Sequence, residues 1–131
     1  MQVAEIINMS TEDFINYLCS TYMVPIPESI ETVEEWNEAC VLMTRLSNSY
    51  AYLDGLYMYL KSAARNAKRA EQLAKKDKKD FTEEKYAYED LRDKADFTER
   101  IASAVKQQYA TISRIHKIRE VNMEELHMSE K

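Results

Sequence analysis

After Pro27 the chain has no further proline and a single glycine, Gly55. A sequence this poor in turn formers cannot be cut into many short strands, and it favours a few long helices. Its hydrophobic fraction of 45% and charged fraction of 31% supply enough apolar material to fold, so wholesale disorder is not expected. At 131 residues it matches one domain.

Start signals divide the chain. Ser10, with Asp13 three residues on, predicts a short helix over residues 11–22, with Phe14, Leu18 and either Ile15 or Tyr22 on its apolar face. The segment holding Val3, Ile6 and Ile7 reads as either a further turn of helix or an extended arm. Val24-Pro25-Ile26-Pro27 then forces an extended linker, because each proline removes a donor and biases its predecessor away from helix. Thr32 and Glu35 have capping-box spacing, with Glu34 also in the first turn. From there a long helix is predicted over residues 33–76.

Its apolar positions are Leu42, Leu46, Ser49, Leu53, Leu56, Leu60, Ala63, Ala67, Ala70 and Ala74, alternating in steps of four and three. That is a heptad rhythm. Its leucine half suits a thick core, and its alanine half suits close approach or a thin contact. The charged run at residues 75–80 predicts a turn, with Asp80 or Thr82 as the next cap and Phe81 stapled to Tyr86. A second long helix is expected over residues 82–120. Leu91, Ala95, Thr98, Ala102, Val105, Tyr109 and Ile112 form its stripe, widened by Ile101 and Ile115. Residues 121–131 read as a polar tail in which Leu126 and Met128 are candidates to dock.

Two long helices joined by a short charged turn predict an all-α fold, a long antiparallel hairpin about 60 Å long with the N-terminal helix (residues 1–27 with its linker) folded against it. Charge order agrees. Residues 61–79 carry eight bases and two acids, and residues 80–105 carry eight acids and four bases. At the open end, Glu28, Glu31, Glu34, Glu35 and Glu38 fall opposite Lys106, Arg114, Lys117 and Arg119. Those four bases have two readings. Either they offset the neighbouring glutamates, or they contact an acidic partner or nucleic acid. The lysines of the hairpin tip, Lys75, Lys76, Lys78 and Lys79, offer a second place for backbone contact. A net charge of −5 disfavours a dedicated nucleic-acid binder.

Trp36, Met43, Tyr50 and Tyr57 recur every seven residues, off the leucine line. This surplus apolar surface marks them as a candidate protein interface. It also predicts a homodimer, in which two hairpins would complete a four-helix arrangement.

Signals for chemistry are sparse. His116 and His127 have no cysteine close by in sequence, and the spacing of Cys19 and Cys40 matches no zinc pattern. Glu124 and His127 form the only Glu-x-x-His pair, where a di-metal bundle needs two. There is no phosphate loop or dinucleotide fingerprint, so no cofactor, metal or catalytic residue is expected. Two cysteines without a disulfide framework, no basic-apolar leader and no long apolar run together lead to the expectation of an intracellular, cytoplasmic protein that spans no membrane.

LSNSYAYLDGLYMYLK (residues 46–61) and AVKQQYATISRIHKIR (residues 104–119), with the segment QQY-x-x-ISR, resemble small helical accessory proteins encoded in bacteriophage genomes. The resemblance spans residues 33–120. It implies no catalytic residues, and it implies a role in the cytoplasm of a bacterial or infected host cell, with binding to host or viral machinery as the usual mode. The expectation is a non-enzymatic helical protein-binding module, with a nucleic-acid-binding accessory protein and a purely structural homodimer as alternatives.

Overall fold

A computed structural model describes residues 2–129, with side chains to Glu124. Four helices follow in order: α1 (Val3–Ile7), α2 (Thr11–Tyr22), α3 (Val33–Lys76) and α4 (Thr82–Ser129). The fold is all-α, and α3 and α4 pack extensively as a helical hairpin. The start signals work as the residues dictate. Ser10 accepts from the Asp13 amide at 3.2 Å, and Thr32 accepts from the Glu35 amide at 3.1 Å. Glu35 reaches back to the amide of Glu31, one residue earlier than a strict capping box requires.

The turn is built without glycine. Lys79 N–H donates to the Ala74 carbonyl and Lys78 N–H to the Lys75 carbonyl, and Lys78 sits at φ 57°. This is a Schellman end with a lysine in the left-handed position that glycine usually fills. Asp80 then accepts from both the hydroxyl and the amide of Thr82, which hold its carboxyl below the usual carboxylate range. The predicted Phe81–Tyr86 staple does not form. Tyr86 stands 65% exposed, and Phe81 lies under the Lys75 ammonium at 4.7 Å.

The core contains Ala39, Leu46, Leu53, Leu56 and Leu60 from α3, and Ala95, Ile101, Ala102, Val105 and Ile112 from α4. Each fully buried leucine contributes on the order of 1.5–3 kcal/mol relative to exposure. In the alanine half the stripe moves. Ala64 and Glu71 are buried there, whereas Ala63 is only partly covered and Ala70 is exposed. Ala74, on the predicted line, is buried, so only the positions of Ala63 and Ala70 move by one residue; an α-helix drifts about 20° per heptad against a strict 3.5 repeat, which carries buried positions toward later residues. Tyr109, predicted on the α4 stripe, is 38% exposed.

The predicted charge matching is not made by ion pairs between helices. Every salt bridge among the described residues joins neighbours on one helix: Lys68 and Lys75 to Glu71, Arg92 to Asp93, Lys94 to Asp90. The tail is also helical, as α4 continues to Ser129 rather than ending near Glu120. Residues 121–129 contain neither proline nor glycine, so nothing in them stops a helix. Leu126, Met128 and His127 lie outside the described side chains.

The N-terminal segment straps one side of the hairpin. Lys94, 2% exposed, donates to the carbonyls of Ile7 (2.6 Å) and Met9 (2.7 Å) and pairs with Asp90 at 2.8 Å. Asp90 also accepts from Thr11. Further along, Tyr22 stacks on Tyr52, Gln108 donates to the Val24 carbonyl, and Arg119 donates to the Glu31 carbonyl. Burial, with Tyr17 and Tyr52 close by, pushes the Tyr22 phenol above its ordinary range.

Candidate functional site

With α2 covering one side, the side of the hairpin that carries Trp36, Met43, Tyr50 and Tyr57 stays open. All four are half-buried against the core. Residues at sevens return to nearly the same face of a helix, so they form one line along α3, which continues through Ala64 and Glu71. Facing them on α4 are Tyr88, Ala95, Ala102, Tyr109 and His116, also spaced in sevens. The two lines border two cavities. One of about 310 Å³ is lined by Tyr57, Ala64, Tyr88 and Ala95 together with Lys61, Arg65, Lys68, Arg92 and Asp96. The other, about 340 Å³, is lined by Cys40, Met43, Thr44, Ser47, Asn48, Tyr109 and His116.

Basic side chains sit over the aromatic floor. The Lys61 ammonium lies 5.6 Å from the Tyr57 ring centre, Lys68 lies 4.8 Å from that of Tyr88, and Arg92 lies 5.5 Å from Tyr88. Lys106 lies 5.9 Å from Tyr50. Around Tyr57 and Tyr88 this gives four cations and one acid, Asp96, a local positive charge on an acidic chain. Glu71 is buried at the end of the line and is held between Lys75 and Lys68. The Lys75 hydrogen bond, aided by Lys68, keeps its carboxyl below the ordinary carboxylate range, against the opposing effect of burial.

The four basic residues of the 106–119 stretch separate. Lys106 joins the groove through Tyr50. Arg119 is taken up by the linker: one guanidinium nitrogen donates to the Glu31 carbonyl at 3.0 Å, and its Nε is buried without a partner. Arg114 and Lys117 are exposed. The glutamates of residues 28–38 and these bases share one end of the hairpin, but no carboxylate among the described residues pairs with them.

At that end Trp36 stacks on His116, with ring centres 4.3 Å apart and planes at 26°. The Trp36 indole N–H is buried without an acceptor. Nε2 of His116 lies 3.1 Å from Sγ of Cys40. Sequence proximity missed this pair because 76 residues separate its members. The turn position could have found it. Cys40 and His116, Tyr50 and Lys106, Lys68 and Tyr88, and Lys75 and Phe81 are each equidistant in sequence from Lys78.

No family model, curated protein or solved structure matches the chain.

Two further absences concern the described residues alone. No three of His, Cys, Asp and Glu converge as metal ligands among them, and no helix is long and apolar enough to cross a membrane.

Proposed function

We propose that the chain is a non-enzymatic, helical protein-binding module whose open groove takes an acidic amphipathic segment of a partner protein. The observation that carries this reading is the pairing of a half-buried aromatic floor with a cationic rim: Tyr50, Tyr57 and Tyr88 beneath Lys106, Lys61, Lys68 and Arg92. Aromatic side chains concentrate binding energy in interface centres, and rim charges select and steer partners of opposite sign. An amphipathic helix laid in such a groove would put its apolar face on the tyrosines and its acids against the rim.

Aromatic and basic residues together also suit single-stranded nucleic acid, which stacks its bases on exposed ring faces. Here cations already cover the rings of Tyr50, Tyr57 and Tyr88, so a base would have to displace them. The net charge of −5 adds long-range repulsion. These two facts favour protein over nucleic acid. Host or viral machinery in an infected bacterial cell is the partner class that the resemblance to bacteriophage accessory proteins would supply. A homodimer is the second proposal. Val41, Met58, Tyr59 and Leu73 stand 56–70% exposed on α3, apolar surface that a second copy would cover.

Capture from the source cell with nuclease present tests the reading when three baits are compared: the intact chain, Tyr50→Ala/Tyr57→Ala, and Lys61→Glu/Arg65→Glu. The expected result is a protein retained by the intact chain and lost by both variants. Recovery of nucleic acid alone without nuclease, with binding that weakens steeply as salt rises, would replace it with the nucleic-acid reading.

A further inference from the structure

The groove reading makes no use of the thiol at its open end. Cys40 lies within hydrogen-bonding distance of an imidazole, 3.1 Å from Nε2 of His116. The face of the His116 ring is stacked on Trp36, with ring centres 4.3 Å apart. The thiol is half-buried but not sealed, because both Cys40 and His116 line the open cavity of about 340 Å³. A small molecule entering there would meet sulfur, an imidazole nitrogen within hydrogen-bonding distance of it, and the polar side chains of Thr44, Ser47 and Asn48. Cys19 provides the contrast within the same chain. It is a free, exposed thiol on α2.

We propose that Cys40 and His116 form a thiol–imidazole pair that makes Cys40 the chain's preferred site of exchange with small-molecule disulfides. The thiolate, not the thiol, is the attacking species, and an adjacent base is the usual means of generating it. The step balances without any further reagent. Nε2 of His116 takes the Sγ proton, and Sγ attacks one sulfur of R–S–S–R. The R–S–S–R bond breaks as the Cys40–S–R bond forms. The departing R–S⁻ takes up the proton and leaves as R–SH. Cys40 is thereby oxidised to a mixed disulfide, the departing half is reduced to a thiol, and the bound half stays at the disulfide level.

The nucleophilicity of a thiolate falls as its basicity falls, so the advantage a neighbouring base can give is modest, on the order of threefold rather than many powers of ten. The adduct would occupy the cavity beside His116 and disturb its stacking on Trp36, the only tryptophan in the chain.

The test uses the full chain and an aromatic disulfide, 5,5′-dithiobis(2-nitrobenzoate), at neutral pH. Cys19→Ser isolates Cys40, and Cys40→Ser isolates Cys19. Cys40 is expected to react about threefold faster than Cys19 despite its lower exposure, and its modification is expected to change Trp36 fluorescence while that of Cys19 does not. His116→Gln in the Cys19→Ser background is expected to bring the Cys40 rate below that of Cys19. If His116→Gln loses helicity, the comparison of the two cysteines in the otherwise native chain decides alone. A Cys40 that reacts no faster than Cys19, or a rate indifferent to His116→Gln in a folded variant, overturns the proposal.

Discussion

The ammonium of Lys94 lies 2.6 Å from the carbonyl oxygen of Ile7, 87 residues away in sequence, and fastens the N-terminal segment to the hairpin. Its other partners are the Met9 carbonyl and the Asp90 carboxylate, and Asp90 in turn holds Thr11. One buried side chain thus fixes the place where α1 gives way to α2.

Lys94→Met should keep the aliphatic volume and remove these contacts. Hydrogen bonds to a charged group contribute about 1.5–3 kcal/mol each, less the cost of burying that charge. The expected loss is about 2–3 kcal/mol by urea unfolding, with faster amide exchange over residues 3–22. Unchanged exchange there would mean that α2 is held by its apolar face alone.

Two backbone positions should respond in the opposite direction. A β-carbon at Gly55 would meet nothing within 4 Å, so Gly55→Ala should stabilise by about 0.5–1 kcal/mol. Lys78, at φ 57°, holds the left-handed position of the turn. Lys78→Gly should stabilise by about 1 kcal/mol. Thermal midpoints of both variants check this, and a fall in either would mean that the lysine or the glycine has a role the contacts do not show.

Acid should weaken the turn end of the hairpin. Glu71 and Asp80 are held below their ordinary values of 4.5 and 3.8, by Lys75 and by Thr82 respectively. A lowered carboxyl contributes stability above its unfolded pKa and loses it as pH falls through the folded one. Stability should therefore decline as pH drops below about 4.5. Glu71→Gln should be less stable than the intact chain at neutral pH and lose less on acidification. Parallel pH profiles for the two proteins would contradict the assignment.

Self-association is checked by light scattering over a tenfold range of concentration. The proposed homodimer predicts a mass near twice 15.4 kDa at the upper end. A mass that stays at 15.4 kDa throughout would leave the exposed residues Val41, Met58, Tyr59 and Leu73 as ordinary surface.

Most of the hairpin could be read from the residues because its signals are local. Ser10 and Thr32 cap the helices they were expected to cap, and α2 and α3 have the predicted bounds. The features that escaped are non-local. The role of Lys94 leaves no local signal, because nothing within a turn of it shows that two carbonyls from residues 7 and 9 will arrive there. Cys40 and His116 looked unrelated until the register was known. The one-residue moves from Ala63 to Ala64 and from Ala70 to Glu71, with Ala74 buried as expected, accord with helical drift, which a strict heptad template ignores. The line Trp36–Met43–Tyr50–Tyr57 was visible from its spacing. The cations lying over its tyrosines, from Lys61 on the same helix and from Lys106 across the hairpin, were not.

The groove is tested most directly by the affinity of the captured partner for single-tyrosine variants. Tyr57 is half-buried in the groove floor, whereas Tyr86, on the same hairpin but outside the groove lining, is 65% exposed. Tyr57→Ala should weaken binding by about tenfold or more, the loss expected of an interface anchor, and Tyr86→Ala should leave it unchanged. Equal losses from both, or no loss from Tyr57→Ala, would contradict the assignment of this face as the binding site.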